Sequence, residues 1–373
     1  MERTGTTPQV AVVPPELASL VMAEGPFLSL YLTTEAGIDN AAQRAEARWK
    51  SVRADLAEAG AAEGALAAVD PLVSDAHLVG QCLAVFATEQ GEVHVEHHPD
   101  PPAQDRARWG PLPSLVPVID WRQSSPPHVA VLTDRRGADL FALRAAEANL
   151  QRTAGGGEDP LAKSSPGGWS QGRYQQRAEN TWEHNAKAVA DEVVRLADQV
   201  DARLVVVAGD IRAVQLLRES LPKEVLDKLE VVGGGRSPDG SADEVVADVD
   251  RLVETAVGHD TERLLAKFLE ERGQQDRATD GPARTLEALA GAQVEVLLVH
   301  DDPEDDRQAW FGSEPSQVGL DEDAMGAMGV QDARRDRLVD VAVRAALGTG
   351  AGVRVVPAGA VKDGLGAILR WAG

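Results

Sequence analysis

Residues 128–143 read His128-Val129-Ala130-Val131-Leu132-Thr133, then Asp134-Arg135-Arg136-Gly137, then Ala138-Asp139-Leu140-Phe141-Ala142-Leu143. Two short apolar runs, separated by a polar turn that ends in glycine, predict two strands joined as a tight hairpin. A polar, glycine-rich stretch comes next, and a long helix is expected from about Arg173 to Val200. Its apolar positions Tyr174, Ala178, Trp182, Val189, Val193, Leu196 and Val200 return at helical spacing. The apolar run Leu204–Ala208 reads as a buried strand, followed by a helix from Ile211 to Ser220, a strand at Leu229–Val232 and a helix from Asp243 to about Glu271. Strands alternating with helices predict an α/β layer domain over residues 126–276.

The flanking segments carry patterns of their own. Residues 1–125 are expected to form an N-terminal α/β domain, with strands at 27–33, 79–88 and 93–96 and a helix from Asn40 to Ala59. Six prolines between Pro99 and Pro117 predict irregular chain there. Residues 277–373 read as a third α/β domain: a helix at Ala283–Ala290, a strand at Val294–Val299, a helix at Ala333–Leu347 and a strand at Val353–Val356. The fold class expected is therefore α/β, in three layered domains. A chain of 373 residues is long enough for each to bury a core.

The formal charge of -23 keeps such a chain soluble and repels polyanions at long range, so contact with nucleic acid has to be local. The lone Cys82 sits in an apolar run and reads as a small core residue. No stretch approaches the length of a membrane span or a signal sequence, and the expected location is the cytoplasm.

Several motifs have a plain reading. His94, His97 and His98 lack a second ligand set and read as surface histidines, so no metal is expected. The acidic run Asp301–Asp306 lacks the glycine and spacing of a calcium loop and reads as solvated. Gly233-Gly234-Gly235 is followed by no Lys-Ser or Lys-Thr and reads as a turn. Asp210 after Gly209 reads as a helix N-cap. Arg44, Arg48, Lys50 and Arg53 cluster on the first long helix; a solvated face is preferred to an RNA contact. No paired nucleophile is visible, and no cofactor is called for.

The informative segment is residues 160–178, PLAKSSPGGWSQGRYQQRA, with Lys163, Arg173 and Arg177 and no acid. Its small residues let the backbone enter a narrow site, Trp169 and Tyr174 offer stacking faces, and the two arginines stand one helical turn apart, as adjacent phosphates require. Composition alone favours a flexible linker running into an ordinary helix start.

The hairpin, the Gly167-Gly168 loop and the long Arg-bearing helix resemble the middle domain of the archaeal and eukaryotic class-one peptide release factors. Residues 285–299, TLEALAGAQVEVLLV, and 364–371, GLGAILRW, are similar to motifs of that superfamily's C-terminal domain. The whole chain resembles its bacterial, Balon-like dormancy-associated branch, which is related to Pelota and to the Vms/ANKZF peptidyl-tRNA hydrolases. The resemblance implies a factor that enters the A site of idle or stalled ribosomes in hibernation, contacts ribosomal RNA near the peptidyl-transferase region, and works beside a translational GTPase such as elongation factor Tu. The RNA-binding set it implies is Lys163, Gly167, Gly168, Trp169, Ser170, Gln171, Arg173 and Arg177. Trp169 stands where release factors place their catalytic glutamine. A frame shifted to Gly168-Trp169-Ser170-Gln171-Gly172 resembles the hydrolase loop and makes Gln171 the catalytic residue of an alternative, peptidyl-tRNA hydrolysis. The codon-reading Asn-Ile-Lys-Ser motif is missing from residues 1–125, so codon-specific termination is not expected.

Overall fold

The computed structural model describes residues 15–23, 25–35, 38–76, 81–98, 101–102, 104–124, 126–134, 137–143, 150–155, 171–233, 242–274 and 277–371; the side chains of 15–16, 143, 150–155, 171–184 and 242–249 lie outside that description. The architecture is mixed α/β, with four sheets among the described residues. The chain divides into two compact units, Ser124–Arg263 and a second made of Val10–Gln123 together with Leu264–Gly373.

In the N-terminal segment, α1 (Pro15–Met22), β1 (Phe27–Thr33), α2 (Ala41–Glu58), α3 (Glu63–Val73), β2 (Cys82–Thr88), β3 (Val93–His98), β4 (Arg106–Gly110) and α4 (Val116–Ser124) succeed one another. The strands form an antiparallel sheet in the order β3-β2-β1-β4. Alternation sorts its residues between two faces. Leu28, Leu30, Leu32, Leu83 and Val85 pack on Ala45, Trp49 and Leu56 of α2 and on Leu66 and Val69 of α3. Tyr31, Ala84 and Phe86 face the opposite side. Cys82 is buried there as expected, and burial pushes its thiol far up.

One expectation fails in this segment. Arg106–Gly110 is a regular strand paired with β1, Phe27 opposite Gly110 and Tyr31 opposite Arg106. The prolines lie on either side of it, at Pro99, Pro101, Pro102 and Pro111, Pro113, Pro117, so every ladder N–H it needs is present.

The first unit contains β5 (His128–Thr133), β6 (Gly137–Leu143), β7 (Leu150–Gly155), α5 (Gln171–Gln199), β8 (Leu204–Gly209), α6 (Ile211–Ser220), α7 (Lys223–Leu226) and β9 (Leu229–Val231); α8 (Ala242–Gln274) begins in it. The sheet order is β7-β6-β5-β8-β9, with β5, β8 and β9 parallel and the hairpin strands antiparallel. Val129, Val131, Leu140, Val205 and Val207 meet Val189, Val193, Leu196 and Val200 of α5 and Leu217 of α6. The other face, Ala130, Leu132, Phe141 and Val206, is covered by Leu252, Val253 and Ala256 of α8. β7 was not foreseen, because its sequence Leu-Gln-Arg-Thr-Ala-Gly offers no apolar alternation.

The C-terminal segment adds β10 (Ala278–Asp280), α9 (Pro282–Ala290), β11 (Val294–Val299), β12 (Gln308–Phe311), β13 (Val318–Gly319), α10 (Glu322–Ala327), β14 (Arg334–Arg337), α11 (Leu338–Gly348), β15 (Gly352–Val355) and β16 (Leu365–Leu369). Its main sheet runs β10-β16-β11-β15, and a smaller one runs β13-β12-β14. The two motifs quoted for this segment fold side by side, since β11 pairs with β16 from Val294–Leu369 to Val299–Leu365. The helix expected from Ala333 starts five residues later. Arg334–Arg337 instead pairs with β12, because Arg-Arg-Asp-Arg has no apolar face to bury and the first apolar residue, Leu338, opens the helix.

The N- and C-terminal segments share one core: Leu17, Tyr31, Phe86, Leu115 and Ile119 cluster with Leu289, Leu297, Leu338, Val341 and Ala345. A buried polar network accompanies it. Arg108 pairs with Asp336 and, at 3.2 Å, with Asp340. Leu112 N–H donates to Asp336 Oδ2 at 2.9 Å, and Ser114 Oγ donates to Asp340 Oδ1 at 3.1 Å.

Candidate functional site

The candidate site lies at the end of the first unit where β7 finishes, at Gly155. Strand register defines that end. Thr133 lies opposite Gly209 in the parallel pair and opposite Ala138 in the hairpin, while Gly137 lies opposite Gly155. The carboxyl edge of β5 and β8 and the last residue of β7 therefore fall together, at the location where open α/β sheets bind ligands.

This edge is held by local chemistry. Asp134 Oδ1 accepts from Gly137 N–H at 3.0 Å, and Thr133 Oγ1 donates to the Gly137 carbonyl at 3.1 Å, which closes the hairpin turn. Gly209 has φ +148 and no room for a β-carbon against the Thr133 carbonyl. The chain can pass this close to β5 only as glycine. Asp210 then caps α6, accepting from the N–H groups of Arg212 and Ala213 at 3.0 and 3.2 Å. The carboxylate is thus engaged as an N-cap.

Helix α5 supplies the projection. Asn185, Ala186 and Val189 line a small cavity with Thr133, Asp134, Gly137 and Arg212, so Asn185 stands level with the carboxyl edge. The helix continues for residues 171–184 beyond that level, about 21 Å at 1.5 Å per residue. Arg173 and Arg177 occupy one face of this overhang by their spacing, and its first turn contains no acidic residue. Gln171 is the first helical residue. Lys163, Gly167, Gly168, Trp169 and Ser170 lie outside the described residues, as do the side chains of Gln171, Arg173 and Arg177. Asn185 itself went unremarked in the sequence, yet it is 8% exposed and sits between Trp182 and Val189 at steps of three and four, a polar residue within the apolar series.

At the opposite edge His128 is buried, with Nδ1 2.8 Å from the Pro126 carbonyl oxygen. Burial pushes its pKa down and outweighs that carbonyl and Asp250.

The other candidate motifs are bound into structure. Arg44 and Arg48 both pair with Glu35, Arg48 also with Asp105, and Arg53 with Glu63 and Asp70. The three arginines of the cluster on α2 are therefore paired within their own segment, and Lys50 is exposed. His94 Nε2 is 2.8 Å from Glu96, which also takes Arg122, and His98 stacks on Trp121 at 4.7 Å. In the acidic run, Asp301 pairs with Arg106 and Asp305 with Arg307. Gly234 and Gly235 lie outside the described residues. Among the described residues no three metal-ligating side chains converge, and no helix is long and apolar enough to cross a membrane.

Residues 127–274, the span that holds β5 to α8 and the segment 156–170, match the family model described as bacterial archaeo-eukaryotic release factor family 2. Over that span, two fifths of its length, the chain is similar to this bacterial family of the release-factor type. An uncharacterised protein of Mycobacterium tuberculosis is similar to this chain over 363 residues, at 29% identity and 95% of each chain. Among solved structures, it is similar to an archaeal translation termination factor (18% identical, 95% of this chain and 96% of that one, TM-score 0.25) and to a ribosome-bound archaeal Pelota (14%, 95% and 92%, TM-score 0.36). At those TM-scores the likeness carries no weight, and the similarity to the family is that of the matched segment.

Proposed function

We propose that this release-factor relative is a ribosome-associated translation factor that occupies the A site of idle or stalled ribosomes and reads no codon. The observation that carries this reading is the 21 Å overhang of α5, about 14 residues at 1.5 Å each, at the start of which Arg173 and Arg177 recur one turn apart. Such an arm delivers a loop and two cations into a narrow polyanionic cavity while a net charge of -23 stays outside it, so affinity depends on a few local phosphate contacts. The polar loop segment would supply Lys163, Gly167, Gly168, Trp169 and Ser170 as further RNA contacts. A translational GTPase such as elongation factor Tu is the protein partner this reading calls for.

Co-sedimentation with 70S ribosomes at low salt tests it. The wild-type protein pellets with ribosomes, and the double substitution Arg173→Glu with Arg177→Glu weakens binding at least about tenfold, as loss and reversal of two phosphate contacts requires. A wild type that stays in the supernatant, or a double variant that binds equally, overturns the reading.

One observation favours a second reading, peptidyl-tRNA hydrolysis. Gln171 opens α5 at the junction of loop and helix, and a neutral amide there can orient a water or donate to a developing oxyanion. Gln171→Ala then abolishes peptide release from stalled complexes while binding persists; equal release by both proteins removes this reading.

A further inference from the structure

Many arginines of the second unit hold a carboxylate, among them Arg44, Arg53, Arg272, Arg277 and Arg307. Arg284, near the start of α9, and Lys362, in the turn before β16, are the contrast. Both are exposed, and among the described residues neither side chain is engaged in a hydrogen bond or an ion pair. They line the same cleft of about 700 Å³, together with Arg272, Asp280, Gly281 and Asp363.

The acids of the cleft do not cancel these cations. Asp280 is occupied on both oxygens, by Arg272 at 2.6 Å and by the Lys362 backbone N–H at 2.6 Å. Arg272 is further fixed over the Phe268 ring, 5.5 Å from its centroid. Asp363 remains, and the two unengaged cations outnumber it. Gly281, at φ +92, keeps the floor low, since a β-carbon there would touch the Lys362 side chain at 3.5 Å. The cleft is thus locally basic in a strongly acidic chain, floored by backbone and lined by no aromatic ring.

We propose that this cleft is a second anion-binding site, which takes the phosphodiester backbone of ribosomal RNA through Arg284 and Lys362; the proposal rests on the ribosome-associated reading above. Free cations with no stacking surface fit phosphates and not bases. An acidic protein segment is the competing occupant, and the test below separates it.

The experiment uses the full-length chain with Arg284→Glu and Lys362→Glu together, and a conservative partner carrying Arg284→Lys and Lys362→Arg. Both positions are exposed and unpaired, so thermal melting of the three proteins should coincide. Co-sedimentation with 70S ribosomes is measured across a salt series. The charge-reversed protein should bind at least about tenfold more weakly at low salt, and its dependence of log affinity on log salt should be shallower by about 1.4–1.8, the value for two phosphate contacts. The conservative protein should follow the wild type. A photocrosslinker at exposed Ala283 should label ribosomal RNA. An unchanged affinity and slope while Arg173→Glu with Arg177→Glu still weakens binding overturns the cleft and leaves the ribosome reading standing. Crosslinks confined to ribosomal protein overturn the RNA assignment. A wild type that fails to sediment overturns both.

Discussion

The side-chain amide of Gln123 clasps the backbone of Val355: Oε1 accepts the Val355 N–H at 2.8 Å, and Nε2 donates to the Val355 carbonyl at 2.7 Å. β15 is the last strand of its sheet, and Gln123, 9% exposed at the end of α4, completes its outer hydrogen bonds as another strand would.

Gln123→Ala leaves a buried N–H and a buried carbonyl unsatisfied, and is expected to cost about 2–4 kcal/mol. Urea denaturation of the purified protein measures it. A loss below about 0.5 kcal/mol, the scatter of an ordinary surface substitution, would mean that water replaces the amide.

Gly209→Ala tests the close approach of β8 to β5. The residue holds φ +148 and a β-carbon would overlap the Thr133 carbonyl, so a loss above about 2 kcal/mol is expected, where an alanine that fits would instead stabilise by about 0.4–1 kcal/mol. Hydrogen exchange of the β5 and β8 amides should rise together in this variant; protection equal to wild type would refute the crowding.

Asp340 makes a pH prediction. Burial lifts its pKa to about 6 against the pull of Arg108 and Arg337. The folded state therefore holds this proton more tightly than the unfolded chain, whose aspartates titrate near about 3.9. Between those values stability contributed by Asp340 is greatest at the acid end and falls as pH rises towards 6. The stability difference between wild type and Asp340→Asn, measured by urea at pH 4.5 and 7, should shrink or invert at the higher pH. A carboxyl resonance for Asp340 that titrates below about 4 contradicts it.

His128 has the opposite sign in the other unit. Its folded pKa is depressed by burial, so the unfolded chain takes up the proton first, and stability is lost as pH falls below about 6.5. His128→Gln should flatten that loss. Amide exchange in β5 at pH 5.5 and 7.5 reads it directly, and equal acid sensitivity in both proteins would assign the effect elsewhere.

Much of the fold was legible because its signals are local. The spacing of Val189, Val193, Leu196 and Val200 anticipates the buried face of α5, and alternation in β1 anticipates its two packed faces. β4 was hidden by its flanking prolines, and β7 by a polar sequence whose only reason to extend is the edge of β6. The core shared by the first and last segments was illegible for a different reason. Leu112 meets Asp336 across 224 residues, and nothing in either neighbourhood marks the other. Of the site, the residue types and the helical spacing of Arg173 and Arg177 could be read, whereas the carboxyl edge required the register of three strand pairs, and Asn185 required knowing which face of α5 is covered.

The shared core also bears on how the protein is made. Leu17, Tyr31 and Phe86 emerge early in synthesis, but their apolar partners Leu289, Leu297 and Val341 follow only after the whole intervening unit has been translated. At about 5–20 residues per second, the sheet that carries Tyr31 and Phe86 spends on the order of ten seconds with one side uncovered, a window in which a chaperone, or a neighbouring nascent chain, competes for it.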